Sequence, residues 1–117
     1  MARIPVLKFK DVLVVSLQVE MQDQLALELQ DDVLSALARS SARGLLIDVS
    51  GIDVVDSFLG RVIADTASMA RLMGTPTVLA GLQPAVAIVL TELGLKLPHI
   101  RTALNLEKGL SLLDAEP

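Results

Sequence analysis

Two apolar runs, GLLIDVS at 44–50 and PTVLAGL at 76–82, stand on either side of a segment with helical periodicity. Runs that short and that continuous leave no polar face for water, which predicts strands covered on both sides, as in a parallel sheet. Parallel neighbours need a crossover between them. The intervening residues supply it: Phe58, Val62, Thr66, Met69 and Met73, with Leu59, Ile63, Ala67 and Ala70 beside them, predict a helix over 57–73 that Gly74 stops.

The rest of the chain extends the alternation. IPVLKF and VLVVSL are β-rich runs separated by Lys10 and Asp11, the spacing of a hairpin or tight bend. Leu25, Leu29, Val33 and Leu37 recur at a four-residue step and predict a helix from Asp23, as N-cap, to about Ala42. Pro84, after Gln83, opens a third helix where its missing N–H is no loss, and Gly94 ends it. LPHIRTAL holds a short last strand, and Asn105 caps a final helix with Leu106, Leu110 and Leu113 on one face despite Gly109. The order ββαβαβαβα predicts an α/β fold: one domain over 1–117, about four helices, and a mostly parallel sheet with an antiparallel edge strand and right-handed crossovers. Aromatic residues make up only 2%, so the core must come from Leu, Val, Ile, Ala and Met. The hydrophobic share of 52% suits a dense core or additional burial between subunits.

Several function classes drop out. A formal charge of −4 and two aromatic residues, Phe9 and Phe58, provide neither the cationic surface nor the stacking platform that nucleic acid requires. Cysteine is absent, which removes disulfides and thiolate metal sites. The opening MARIPVLKFKDVLVV is interrupted by Lys8, Lys10 and Asp11 and does not read as a secretion signal. The apolar window Thr75–Leu90 is broken by Pro76, Gln83 and Pro84 and is shorter than the roughly 20 residues that span a bilayer. The expectation is a soluble, cytoplasmic protein without a membrane partner.

Enzymatic chemistry is not expected either. Ser57 lies in VDSFL rather than in G-x-S-x-G, and the only histidine, His99, is far downstream. His99 has no second His or Cys with which to bind a metal, and neither G-x-G-x-x-G nor a Walker A sequence is present. No catalytic residue, cofactor or metal is expected. Asp48 reads as a structural residue at a strand end. Glu28, Asp31 and Asp32 form an acidic helix face, a solvated surface or a docking patch for a basic partner.

Ser57 is the position with most to offer. Asp56 or Ser57 can cap the helix by accepting from a free N–H, worth about 1 kcal/mol. The same helix start, with its partial positive charge, tolerates a phosphoserine. If GLLIDVS and PTVLAGL are parallel neighbours, residues 50–57 and the corner Gln83–Ala85 share the carboxyl edge of the sheet, where α/β proteins place binding surfaces.

The element order, the passage DVSGIDVVDS and the passage LAGLQPAVAIVLTELGL resemble the STAS domain, the SpoIIAA-like fold of bacterial anti-sigma-factor antagonists, over about residues 4–113. General antagonists follow the Asp-Ser pair with a small residue and Gly-Leu-Gly; this chain has Phe58, Leu59 and Gly60. That variant and the Gln83-Pro84-Ala85-Val86 corner are more similar to the RsbS type, the minimal STAS subunit of the stressosome. The resemblance implies a non-enzymatic scaffold that co-assembles with RsbR-type paralogues and holds an RsbT-type serine/threonine kinase. It implies release when that kinase phosphorylates Ser57, resetting by an RsbX-type phosphatase, and control of a stress response. Asp56, Phe58, Gln83 and Pro84 would contribute to partner binding. The alternatives are a STAS module that senses a nucleotide or small anion at the same edge, and a general anti-sigma-factor antagonist.

Overall fold

The computed structural model describes residues 4–17, 21–92 and 100–114. These form five strands and four helices: β1 (Leu7–Phe9), β2 (Val12–Ser16), α1 (Asp23–Arg39), β3 (Gly44–Asp48), α2 (Ser57–Leu72), β4 (Thr77–Ala80), α3 (Pro84–Glu92), β5 (Ile100–Ala103) and α4 (Leu106–Asp114). One sheet runs in the order β1-β2-β3-β4-β5, antiparallel between β1 and β2 and parallel thereafter. The hairpin between β1 and β2 turns on Lys10 and Asp11, both at positive φ (49° and 66°), the primed turn whose twist matches that of paired strands.

Because each parallel strand is laid down beside the last in the same direction, right-handed crossovers place α1, α2 and α3 on one face of the sheet. Strand alternation then divides the apolar side chains. Leu13, Val15, Leu45, Ile47 and Leu79 meet Leu29, Val33, Leu37, Leu59, Ile63, Val86 and Leu90 in the main core. Val12, Val14, Leu46, Val78 and Ala80 point the other way and are covered by α4 through Leu113. The continuous apolar runs of β3 and β4 are therefore explained by helices on both faces.

Gly109 has a packing reason. A Cβ there would stand 2.5 Å from Leu46 Cδ1, so α4 settles onto β3 only because this position has no side chain. At the end of α4, Arg43 donates to the Leu113 carbonyl (2.8 Å) and pairs with Asp114, holding the helix C-terminus with a cation placed to suit its dipole.

Three sequence expectations need correction. Gln22, not Asp23, is the N-cap of α1, and its side chain makes no capping hydrogen bond; Asp23 is the first helical residue, where an acid still complements the dipole. The same helix ends at Arg39 rather than near Ala42, Ser40 being already extended. In α2 the buried arc is centred on Leu59, Ile63 and Ala70, so Met69 lies exposed at its margin and Met73 is exposed beyond the helix end. The Pro84 start, the Gly74 stop at φ 85° and the Asn105 cap, which accepts from Lys108 N at 2.9 Å, are as expected. The proposed stop at Gly94 and the surroundings of His99 lie outside the described residues.

Candidate phosphoacceptor site

The edge at the carboxyl ends of β3 and β4 is built by three local devices. Asp48, the last residue of β3, accepts from Ser50 N (3.0 Å) and Ser50 Oγ (2.7 Å) with one oxygen, and from Ser16 Oγ (3.2 Å) with the other. It folds the chain back immediately after the strand, an Asx-type turn. Ile52 and Val55 then insert into the main core, at 1% and 5% exposure, and anchor the loop between β3 and α2 from beneath. With those two inside, Asp53, Val54, Asp56 and Ser57 are left on the surface; Val54 is 73% exposed.

The second device is the cap. Asp56 is extended (φ −92°, ψ 175°), and its Oδ1 accepts from Leu59 N at 2.8 Å. Ser57 is consequently the first residue inside α2, exposed, and its hydroxyl has no hydrogen-bond partner among the described residues. Where the sequence left the cap open between Asp56 and Ser57, the structure gives it to Asp56 and frees Ser57. Replacing Asp56 by Ala leaves the Leu59 N–H without its acceptor. The expected loss is about 1 kcal/mol of stability by urea denaturation, with Asp56→Asn recovering most of it; equal midpoints for wild type and Asp56→Ala would show that the cap contributes nothing.

The third device joins the two loops. Gln83 Nε2 donates to the Ser50 carbonyl at 2.9 Å, tying the β4–α3 corner to the loop that carries Ser57. Gly81 permits the approach: its φ is +75°, and a Cβ would lie 2.7 Å from Ser50 Cβ. Pro84 and Ala85 are exposed beside this junction, and Phe58 is half-buried against the main core. The five residues singled out from sequence thus fall into different settings: Asp56, Ser57 and Pro84 exposed, Phe58 and Gln83 partly covered. Ser50 and Val54 were not anticipated. A signal for Val54 existed in IDVVD, where an extended chain cannot bury two consecutive valines on the same side; none existed for Ser50, which participates through its backbone oxygen.

Among the described residues no group of three His, Cys, Asp or Glu side chains is placed to hold a metal ion. None of the helices they form is long and apolar enough to cross a membrane.

The STAS domain family model matches residues 3–109. This chain is a STAS domain protein. The STAS chain is 43% identical to a serine-to-glutamate variant of RsbS from Moorella thermoacetica, covering 97% of this chain and 96% of that one with a TM-score of 0.89. It is 44% identical to a chain from the molecular architecture of the stressosome, described as a signal integration and transduction hub, covering 94% and 96% with a TM-score of 0.85. Among curated proteins it is 29% identical over 102 residues to the RsbT co-antagonist protein RsbRA of Bacillus subtilis. It spans only 37% of the length of RsbRA, and 29% of each of the co-antagonists RsbRD and RsbRB.

Proposed function

We propose that this STAS chain is a phosphorylatable scaffold subunit of a stressosome, without catalytic activity of its own. In its unmodified state it holds an RsbT-type serine/threonine kinase at the edge formed by the Ser57 loop and the Gln83 corner. That kinase transfers the γ-phosphoryl group of ATP to Ser57 Oγ, with loss of the hydroxyl proton and formation of ADP, and the modified surface releases it. The freed kinase acts in a stress-response pathway, and an RsbX-type phosphatase restores the serine. The chain acts as one domain in the cytoplasm, assembled with RsbR-type paralogues and further copies of itself.

The observation that carries the reading is the state of Ser57: exposed, without a hydrogen-bond partner among the described residues, and placed just inside a helix whose cap is already supplied by Asp56. Its oxygen is open to a kinase, and a phosphate there meets the N–H groups at the helix start rather than a buried surface. Asp56 supports the site as cap and acidic neighbour, Phe58 as a half-buried base for docking, and Gln83 with Pro84 as the adjoining corner. The similarity to RsbS and to a stressosome chain over nearly the full length favours this reading over a ligand sensor. The test is to incubate the chain with the kinase encoded beside it and Mg-ATP, then map the phosphosite by mass spectrometry. Phosphate on Ser57 is expected; modification elsewhere with Ser57 untouched would refute the proposal.

A further inference from the structure

We propose that Arg61 holds the phosphate: once Ser57 is phosphorylated, the Arg61 guanidinium one helical turn on pairs with it and fixes it against α2. This rests on the phosphorylation proposed above and specifies how the modified state is stabilised. Ser57 and Arg61 are four residues apart within α2 and both are exposed, the spacing that brings two side chains together on one helix face. Arg61 has no ion pair or hydrogen bond with any described residue. It is also the only Lys or Arg in the sequence from 44 to 70.

The surrounding charges single it out. On the loop the other charged groups are Asp53 and Asp56, and on α2 they are Asp65 and, in the last turn, Arg71; the corner Gln83–Ala85 has none. The neighbouring helix α1 carries Asp23, Glu28, Asp31, Asp32 and Arg39 but reaches α2 through Gln30, which donates to Thr66, while Asp32 and Arg39 stand beside Ile4, Pro5 and Val6. A dianion added at Ser57 therefore has Asp53 and Asp56 on the loop before it and Arg61 as the cation one helical turn on, Arg71 lying at the far end of α2. Asp65 is the competing partner, four residues beyond Arg61, but a base N-terminal to an acid is the weaker order on a helix. Phosphoserine at 57 with arginine at 61 has the favourable order, acid first, and the guanidinium fork matches phosphate oxygens. Arg61 is a positioning residue for the phosphate. Its effect is to favour the fully ionised form, so that the switch delivers its whole charge near neutral pH.

The test uses the full chain produced with phosphoserine encoded at position 57, in the wild-type, Arg61→Gln and Arg61→Lys backgrounds. The pH titration of the phosphorus-31 resonance reports the second ionisation of the phosphate directly. With Arg61 or Arg61→Lys, its midpoint is expected about half a unit below that of Arg61→Gln, and the gap is expected to shrink when salt is raised to about 1 M. Circular dichroism checks that each variant keeps its helices, which the exposure of Arg61 favours. Equal midpoints in all three backgrounds would overturn the assignment. Because the phosphate is encoded, a kinase that fails to modify Ser57 sinks the switch without affecting this measurement.

Discussion

Ser57→Asp is expected to bind an RsbT-type kinase at least about tenfold more weakly than the unmodified chain, a loss of about 1.4 kcal/mol. Ser57→Ala is expected to bind as wild type and to stay bound when Mg-ATP is added. Ser57 is exposed at the start of α2, beside Asp56 and four residues from Asp53, so an acid there concentrates like charge on the edge proposed to hold the kinase. Covering that charge with a partner adds a desolvation cost. The fold should not suffer, since an acid in the first turn stabilises a helix by about 0.3–1 kcal/mol. Titration calorimetry with the kinase, run alongside thermal unfolding, separates the two effects: affinity falls while Tm holds or rises. Equal affinity for both variants, or equal release of both under Mg-ATP, would remove Ser57 from the switch.

Leu46→Ala should produce the largest loss of stability, about 2–5 kcal/mol. Leu46 is wholly buried between β3 and α4, on the smaller of the two cores, and its Cδ1 fills the space above Gly109. A chain of this kind has roughly 5–15 kcal/mol in total, so the change removes a large part of it. The contact also predicts a change of sign. In the wild type, Gly109→Ala gains about 1 kcal/mol of helix propensity but overpacks against Leu46 at a cost of about 1–3 kcal/mol. With Leu46 already cut to Ala, the added methyl enters the vacated space, and Gly109→Ala becomes stabilising by about 1 kcal/mol. Urea unfolding of the four proteins completes the cycle; the same effect of Gly109→Ala in both backgrounds would contradict the packing.

The legible and illegible parts of the site differ for a physical reason. Ser57 was readable because Asp-Ser at a strand-to-helix junction is local chemistry: both residues belong at helix starts, whatever surrounds them. Which of them caps depends on how the loop is pulled before it reaches the helix, and that is decided by Ile52 and Val55 seating in a core contributed by distant segments. The bond from Gln83 to the Ser50 carbonyl spans thirty-three residues and uses a backbone atom, which no residue pattern encodes. Gly109 is similar, a helix weakness by propensity that becomes a packing requirement once Leu46 lies beneath it.

Periodicity and turn chemistry alone determined the order of strands and helices, the parallel character of the central strands, and the serine at the edge. These follow from interactions between neighbours in the chain: apolar spacing, the Lys10–Asp11 turn, the Pro84 start and the Gly74 stop. Tertiary structure alone decided which residue caps α2, how far the buried arc excludes Met69 and Met73, and that the bond from Gln83 to the Ser50 carbonyl ties together the loop and the corner expected at the same edge. Each of these depends on atoms brought together from remote parts of the chain, whose distances exist only after the sheet has formed and the two cores have closed on its faces.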